Sequence, residues 1–366
     1  MVSCIVMTDE YLIRRTLSLA ARAYGRTSPN PMVGALVVRN GEVITRGYHK
    51  KAGTPHAEAI ALEKAGELAR GATLYISLEP CCHRDKRTPP CTEKIIASGI
   101  SKVVISMEDP NPKVAGKGIS ELRKAGIEVV SGIHEDRAET LNEYYIKHIA
   151  TGRPFVILKT AMTLDGKIAT PAGESKWITG EKARREVHRL RGGVDAIMSA
   201  IGTVKADDPS LTCQIAGYKS PRRIIIDPGL DISPDAKVLD IPPETIIVTR
   251  KLGHQKKKAL LREKGVTLIE HERDRADLAG LMKDLGKKGV LSVLIEGGSS
   301  LNASSLDSGI VDKVMFFIAP KIIGGTGLFP PVGGRSFRRL ANAYRITRTT
   351  IKKFGDDFLI SGYVVE

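Results

Sequence analysis

The chain has 366 residues, of which 42% are hydrophobic and 27% are charged. This composition excludes a disordered or fibrous protein, and the length is enough for about two domains, each with its own core. The net charge of +15 suits an anionic partner, such as nucleic acid, a phosphorylated metabolite or a phosphate-bearing cofactor, without choosing among them. No apolar run reaches the roughly 18 residues that a membrane-spanning helix needs, so no membrane partner is expected.

The first 150 residues alternate helical and strand patterns, which predicts an α/β sandwich. The predicted helices cover residues 10–25, 56–69, 91–99 and 117–126. The predicted strands between them cover residues 33–38, 73–78, 102–107 and 128–133. One domain is therefore expected over residues 1–149.

Gly152 and Pro154 interrupt the pattern, so residues 148–155 are predicted to join two domains. Strands are predicted after this point at residues 155–162, 195–200, 222–227, 245–250, 292–297 and 312–320, with helices between several of them. This order predicts a second sheet that is rich in parallel strands, in a domain over residues 150–366. No internal repeat links the halves, so two different folds are expected.

Three of the five cysteines lie in the segment "LEPCCHRDKRTPPC", residues 78–91. The total is odd, the spacing is uneven, and the first residues do not have the pattern of a secretory leader. We therefore expect no disulfide framework, and we expect a cytoplasmic location. Metal binding or catalysis is the better interpretation of clustered cysteines in such a protein.

His56 and Glu58 stand at the start of a predicted helix, in "TPHAEAIAL". A His-x-Glu pair alone is a weak signal, but here a strand and a Pro-Cys pair follow, as in the H-x-E…P-C signature of zinc nucleobase deaminases. His56, Cys81 and Cys91 supply one imidazole and two thiolates, which leaves the fourth position of a catalytic zinc open for water.

Glu58 is the predicted catalytic residue. Zinc lowers the pKa of its water towards about 7, and Glu58 can pass the proton to the departing amine, giving a carbonyl and ammonia. The alternatives are a closed structural zinc site, or buried thiols with a helix-capping glutamate. Cys82 or His83 could also replace Cys81; Cys81 is favoured because Pro80 and Pro90 each precede a cysteine that can start a helix.

Nine residues separate Cys81 from Cys91, whereas the familiar cytidine deaminases have two. With "SPNPMVGALVV", "GYHKKAGTPHAEAIAL" and "DPNPKVAGKGI", this loop resembles the bifunctional deaminase-reductase family of riboflavin biosynthesis, over essentially the whole chain. The resemblance implies a cytidine-deaminase-like α/β/α domain that removes an amine from a diaminopyrimidinone carrying phosphoribosylamine. The residues that it implies for substrate binding in this domain are Asn30, His49, His83, Arg87, Asp109 and Asn111.

No G-x-G-x-x-G fingerprint opens the second half, but "VLIEGGSSLNASSL" runs from a strand through two glycines into a helix, a junction that can bind phosphate. The segments "KTAMTLDGKIAT", "GESKWITG" and "SAIGTVKADDPSLT" resemble the family's reductase domain, which is similar to dihydrofolate reductase in fold. This implies NADPH as hydride donor, with cofactor contacts from Ala161, Trp177, Thr203, Asp207, Gly298, Ser299, Ser300, Leu301, Asn302, Ala303 and Ser304. The implied substrate contacts are Ser175, Arg191, Leu211, Gln214 and Glu296, and Lys159 and Asp207 are candidates for proton transfer.

Two departures from the family pattern stand out. Gln214 occupies a position where the family has an arginine that the resemblance places against the substrate phosphate, and the loop from Cys81 to Cys91 is one residue longer. The second departure bears on the roles of His83 and Arg87.

Two other functions compete with the bifunctional enzyme. A nucleic-acid or tRNA base deaminase would suit the positive charge and the zinc motif, and a structural zinc protein with a binding domain would suit the cysteines. The reductase segments favour the bifunctional enzyme over a tRNA base deaminase, which needs no reductase. A structural zinc protein would release no ammonia and would have no open coordination position. The expected partner is then a phosphorylated pyrimidine and not nucleic acid, and a homo-oligomer is expected.

Overall fold

The structure is a computed structural model that describes residues 7–84, 89–240, 242–272, 276–325, 329–334 and 337–365. The chain divides into two compact units, Met1–Gly152 and Arg153–Glu366. The predicted division between residues 149 and 150 lies in the last turn of a helix that ends at Thr151. The exact domain boundaries stay a prediction.

The first unit combines helices with a mixed sheet. Its helices are α1 (Asp9–Ala20), α2 (Ala57–Ala65), α3 (Cys91–Ala97), α4 (Lys117–Lys124), α5 (Glu135–Leu141) and α6 (Glu143–Thr151). Its strands are β1 (Gly34–Arg39), β2 (Glu42–Tyr48), β3 (Thr73–Ile76), β4 (Lys102–Ile105) and β5 (Glu128–Ser131). They form a sheet in the order β2-β1-β3-β4-β5, in which β1 is antiparallel to β2 and β3 while β3, β4 and β5 are parallel.

Helices cover both faces of this sheet, as the alternation of side chains along β1 shows. Ala35 and Val37 belong to one core cluster, which includes buried residues of α2, α3 and α4. Leu36 and Val38 belong to a second cluster, with buried residues of α1 and α5. Since successive side chains of a strand point to opposite faces, the two clusters lie on the two sides of the sheet. The predicted α/β/α sandwich is confirmed, and all eight predicted elements are present.

The second unit is built on a larger sheet. Its helices are α7 (Glu181–Gly193), α8 (Ile201–Asp207), α9 (Gln255–Glu263), α10 (Leu278–Lys287) and α11 (Ser299–Asp307). Its strands are β6 (Phe155–Thr163), β7 (Ala196–Ala200), β8 (Arg222–Ile226), β9 (Thr245–Arg250), β10 (Thr267–His271), β11 (Ser292–Ile295), β12 (Lys313–Ala319), β13 (Arg345–Phe354) and β14 (Asp357–Val365). The order is β10-β9-β8-β7-β11-β6-β12-β14-β13.

The parallel character expected for this sheet is confirmed over β10, β9, β8, β7, β11, β6 and β12. The last two strands form a hairpin, with β14 antiparallel to both β12 and β13. This hairpin was not expected from the sequence. Strand β13 is exposed along almost its whole length, so its sequence lacks the apolar alternation of a half-buried strand.

The described cysteines, Cys81, Cys82, Cys91 and Cys213, carry free thiols. Within the described ranges, none of the helices combines the length and the hydropathy that a transmembrane span requires.

Candidate active sites

Three side chains of the first unit converge at the N-termini of α2 and α3. His56 is the N-cap residue of α2, and Cys91 is the first residue of α3. His56 Nδ1 lies 3.5 Å from Cys81 Sγ and 3.3 Å from Cys91 Sγ, and the three potential ligand atoms all lie within 4.8 Å of one another. One imidazole and two thiols at this spacing fit a catalytic zinc ion, which needs three protein ligands and one position for water.

Cys81 reaches this cluster from a segment outside any helix. Its carbonyl oxygen accepts hydrogen bonds from the backbone N–H groups of Cys91 (2.9 Å) and Thr92 (3.3 Å), at the start of α3. The expectation that both Pro-Cys pairs start helices is therefore correct for Cys91 and wrong for Cys81, because the Cys81 segment instead caps the helix that Cys91 begins. Cys82 Sγ lies 3.8 Å from the Lys113 carbonyl oxygen and is not part of the cluster.

Glu58 is the second residue of α2 and is 3% exposed. Its Oε2 atom is buried and has no hydrogen-bond partner in the part of the chain that the structure describes. Burial raises the pKa of Glu58, and the neighbouring Cys81 raises it further. A buried carboxyl group with a raised pKa beside a set of metal ligands suits a group that both takes and returns a proton.

Asn30 and His49 form a pair beside the cluster. His49 Nδ1 lies 3.2 Å from the Pro55 carbonyl oxygen, and His49 Nε2 lies 3.2 Å from Asn30 Nδ2. Because a carbonyl oxygen only accepts, Nδ1 carries the proton and Nε2 accepts from the Asn30 amide. Burial lowers the pKa of His49, in agreement with this neutral form. The His49 ring centroid is 5.5 Å from that of His56.

Asp109 and Asn111 shape a turn after β4. Asp109 is buried, and its Oδ1 atom accepts from the Asn111 backbone N–H (2.9 Å) and the Tyr145 hydroxyl (2.9 Å). Burial raises the pKa of Asp109. Asn111 Oδ1 accepts from the Lys113 backbone N–H at 3.0 Å. Of the other predicted substrate residues in this unit, His83 has a buried Nδ1 atom without a hydrogen-bond partner among the described residues, and Arg87 lies outside the described residues.

A buried ion cluster marks the second unit. Glu296 follows β11, and its carboxylate accepts two hydrogen bonds from Arg191, from Nε to Oε1 at 2.7 Å and from Nη2 to Oε2 at 3.0 Å. Its Oε2 atom also accepts a hydrogen bond from Lys159 Nζ at 3.3 Å. Burial alone would raise the pKa of Glu296, but Arg191 and Lys159 outweigh it and lower the pKa to about 2. Glu296 is thus ionised at any working pH, and the two cations leave the cluster with an excess of positive charge.

Of the other predicted substrate residues of this unit, Ser175 lies between β6 and α7, and Leu211 and Gln214 lie between α8 and β8. Ser175 Oγ donates to Asp207 Oδ1 at 2.8 Å, which joins a predicted substrate contact to a predicted cofactor contact. Leu211 is buried and has a left-handed backbone, with φ of 52°. Gln214 is exposed, and its backbone N–H donates to His188 Nδ1 at 3.2 Å.

The glycine-rich junction lies where the sequence predicts it. Gly298 is the N-cap of α11, and a Cβ atom there would lie 3.6 Å from Thr203 Oγ1. A helix N-terminus with a bare glycine beside a hydroxyl group fits a cofactor phosphate. Trp177 is 64% exposed, and the Arg184 guanidinium lies 4.7 Å from its ring centroid. Ala161 lies on β6. At the start of α11, Ser299 Oγ donates to the Pro330 carbonyl and Asn302 Nδ2 donates to the Pro331 carbonyl. Leu301 and Ala303 are buried, whereas Ser300 and Ser304 are exposed.

Glu79 was not among the predicted site residues. Its buried carboxylate accepts from three backbone N–H groups, those of Asp109 (3.1 Å), Gly116 (2.9 Å) and Ile119 (3.1 Å). It thereby ties the residue before Pro80-Cys81 to the Asp109 turn and to the start of α4. The sequence signal for this role is a glutamate at the end of the apolar run "LYISLEP". Such a glutamate is expected to be buried, and a buried carboxylate needs several hydrogen-bond donors.

Comparisons with known proteins agree with this geometry. Residues 6–107 match the family "Cytidine and deoxycytidylate deaminase zinc-binding region", and residues 154–360 match the family "RibD C-terminal domain". The "Riboflavin biosynthesis protein RibD" of Actinobacillus pleuropneumoniae is 44% identical over 363 residues, which cover 98% of this chain and 96% of that protein. The protein of the same name from Escherichia coli is 40% identical over 366 residues, covering 96% of this chain and 98% of that protein.

Solved structures are similar over the same extent. RibD of Acinetobacter baumannii (form 1) superimposes with a TM-score of 0.88 at 36% identity, covering 98% of this chain and 99% of that chain. A deaminase/reductase from Thermotoga maritima, named for diaminohydroxyphosphoribosylaminopyrimidine and 5-amino-6-(5-phosphoribosylamino)uracil, gives a TM-score of 0.87 at 36% identity with the same coverage. The chain belongs to the RibD family of bifunctional riboflavin-biosynthesis enzymes, whose zinc-dependent deaminase and NADPH-dependent reductase activities it combines.

Proposed function

We propose that the two activities are divided between the two halves of the chain, with deamination in residues 1–149 and reduction in residues 150–366. The substrate is a phosphorylated pyrimidine, a diaminopyrimidinone that carries a phosphoribosylamino group. The cluster of His56, Cys81 and Cys91, with Glu58 two residues after His56, is the observation that carries the assignment of the first half. A base deaminase acting on nucleic acid would not require the reductase domain that residues 154–360 match.

In the first half, His56, Cys81 and Cys91 hold zinc. When bound, zinc supplies Lewis-acid activation of the attacking water. The buried Glu58 carboxylate would take a proton from the attacking water as the water oxygen bonds to the ring carbon. It would return that proton to the amine nitrogen as the C–N bond breaks, so that ammonia leaves and a carbonyl remains. The groups that hold the pyrimidine edges are Asn30, His49, Asp109 and Asn111, while His83 and Arg87 contact the phosphate.

In the second half, bound NADPH supplies the hydride that converts the ribosyl side chain to ribityl. Glu296 orients Arg191 and Lys159, and the excess positive charge of this cluster attracts the substrate phosphate. Lys159 and Asp207 are the groups proposed for proton transfer, and Ser175, Leu211 and Gln214 complete the substrate contacts. The proposed NADPH contacts are those that the family resemblance implies, from Ala161, Trp177 and Thr203 to the start of α11.

The division of labour is tested by incubating the protein with the diaminopyrimidinone substrate, with and without NADPH. Ammonia and nicotinamide absorbance are followed separately. Ammonia should appear without NADPH, and NADPH should be consumed only as deaminated product forms. Removal of zinc with a chelator should stop ammonia release and spare reduction of deaminated substrate supplied directly. Loss of both activities together on chelation would contradict the division.

The reductase should prefer NADPH to NADH. A 2′-phosphate offers charge-assisted hydrogen bonds to basic or hydroxyl side chains, and each such bond is worth enough to give a preference of at least about tenfold. Steady-state kcat/KM for the two nucleotides measures it. Equal values would show that no group on this chain recognises the 2′-phosphate.

Gln214→Arg should lower the reductase KM for the deaminated substrate by about tenfold, which corresponds to about 1.4 kcal/mol. An arginine adds a charged, bidentate contact to phosphate that glutamine cannot make. Arg191 already contributes to the proposed phosphate site with Lys159. The other two nearby arginines are engaged elsewhere, because Arg222 pairs with Glu244 and Arg223 is buried against the Pro243 carbonyl.

Gln214→Glu is the matched control and should raise the same KM, because it places a negative charge at the same exposed position. Deamination should be unaffected in both variants. An unchanged KM in Gln214→Arg would mean that position 214 does not face the phosphate.

We further propose a homo-oligomer, located in the cytoplasm, that binds neither nucleic acid nor membranes. The free thiols of the described cysteines support the reducing compartment. Association is supported by the edge strand β13, where Ile346 and Ile351 are 38% and 67% exposed. An exposed strand edge with apolar side chains is a surface that a second copy can cover. Sedimentation at micromolar concentration reports the oligomeric state.

A further inference from the structure

Two buried polar side chains at the start of α6 contact both loops that carry the proposed pyrimidine-binding residues. Asn142, the N-cap residue of α6, is 3% exposed, and Tyr145, in its first turn, is 8% exposed. Neither residue belongs to the metal cluster or to the proposed substrate contacts. Burying a polar side chain costs free energy unless it is hydrogen-bonded, so the partners of these two residues are informative.

Asn142 holds the loop that leads from Asn30 to β1. Its Oδ1 atom accepts from the Met32 N–H at 2.8 Å, and its Nδ2 atom donates to the Met32 carbonyl at 3.1 Å. The next residue, Val33, accepts the backbone N–H of His49 at 2.9 Å. The Asn142 side chain therefore fixes both polar backbone groups of Met32. Through them it also fixes the neighbouring backbone that carries the Asn30–His49 pair.

Tyr145 holds the other loop. Its hydroxyl donates to Asp109 Oδ1 at 2.9 Å, and the Asn111 N–H donates to the same oxygen. The Asp109 backbone N–H is fixed separately, by Glu79 Oε2 at 3.1 Å. Tyr145 is thus the side-chain donor that sets the rotation of the Asp109 carboxylate.

We propose that Asn142 and Tyr145 are positioning residues of the deaminase, which set the separation between the Asn30–His49 pair and the Asp109 carboxylate to that of a pyrimidine ring. The proposal rests on the substrate roles proposed above for Asn30, His49 and Asp109. Neither positioning residue is a proposed metal ligand or the proposed proton-transfer group. Their loss therefore weakens recognition of the ring and leaves the chemical step largely intact.

Tyr145→Phe tests the proposal, because it removes one oxygen atom and keeps the ring. The deaminase KM should rise about tenfold, kcat should stay within about threefold, and zinc content and reduction of deaminated substrate should be unchanged. Tyr75→Phe is the matched control: Tyr75 is also a buried tyrosine of the first unit whose hydroxyl donates to a carboxylate, that of Asp9 at the start of α1. It should lower the melting temperature to a similar extent and leave the deaminase KM unchanged.

A double-mutant cycle with Asp109→Ala separates this inference from the proposed function. Asp109→Ala should raise the deaminase KM, and adding Tyr145→Phe should raise it no further, because the tyrosine acts through that carboxylate. If Asp109→Ala leaves KM unchanged, the proposed substrate role of Asp109 fails, and the inference fails with it. If Asp109→Ala raises KM but Tyr145→Phe behaves like Tyr75→Phe, or the two effects add, the inference alone is overturned.

Asn142→Ala provides a second arm through the other loop. It should raise the deaminase KM and should be non-additive with Asn30→Ala. A loss of kcat with unchanged KM in Asn142→Ala would overturn the positioning role of that residue. Should Asn142→Ala not fold, the Tyr145 cycle decides the proposal.

Discussion

Glu58→Gln is expected to keep zinc and to lose at least about 100-fold in the rate of deamination. Glutamine has the shape of glutamate but cannot take a proton, and proton transfer by a positioned side chain contributes on this scale. In Glu58, the Oε2 atom has no hydrogen-bond partner among the described residues. Replacing this oxygen with the amide group of glutamine therefore breaks no hydrogen bond that Oε2 makes. Ammonia release and zinc content are measured on the same sample.

Two controls distinguish a catalytic loss from a folding defect. Reduction of deaminated substrate should be unaffected in Glu58→Gln, because the residues proposed for reduction lie in the other unit. Glu63→Gln changes an exposed glutamate of the same helix and should release ammonia at the parental rate. Parental ammonia release from Glu58→Gln itself would exclude Glu58 as the group that moves the proton.

Cys81→Ser should lose both zinc and deamination, whereas Cys82→Ser should retain about one zinc ion per chain and full activity. A catalytic zinc site has three protein ligands, and losing a thiolate from it removes most of the binding free energy. The two adjacent cysteines are a matched pair, because only Cys81 joins His56 and Cys91 while Cys82 Sγ lies near the Lys113 carbonyl. Metal analysis of the purified variants gives the answer.

The opposite pattern would be equally clear. If Cys82→Ser strips the metal and Cys81→Ser does not, the ligand set is wrong, and the backbone near Pro80 must rearrange when zinc binds. Reductase activity should be the same in both variants, so a loss of reduction would indicate a general folding defect.

The elements that the sequence predicted are those whose side chains are buried on a regular period. Alternation in β1 and helical spacing in α2 reflect contacts with the core on defined faces, so a single sequence contains that information. Among the described strands, β2, β10, β13 and β14 were not predicted. The first three lie at the edges of their sheets, whereas β14 lies between β12 and β13. An edge strand packs against fewer apolar neighbours, so its pattern is weaker.

The candidate site was predictable to the extent that it depends on local motifs. His56 and Glu58 start a helix, and Cys91 starts another, as their sequence context predicts. The position of Cys81 depends on a backbone hydrogen bond to Cys91, which no local pattern indicates. The contact of Asn142 could not be predicted for the same reason, because its partner Met32 is 110 residues away in sequence.

Because of the backbone hydrogen bond between Cys91 and Cys81, the positions of the two cysteines do not depend on how many residues join them. Nine residues separate the two cysteines, yet the bond from Cys91 N to Cys81 O fixes the ends of that segment independently of its length. Closing a longer loop costs only about 0.6 kcal/mol for each doubling of its length. Insertions between the two cysteines are therefore compatible with an unchanged metal site, and a search that requires a fixed Cys-to-Cys spacing would overlook functional enzymes of this kind.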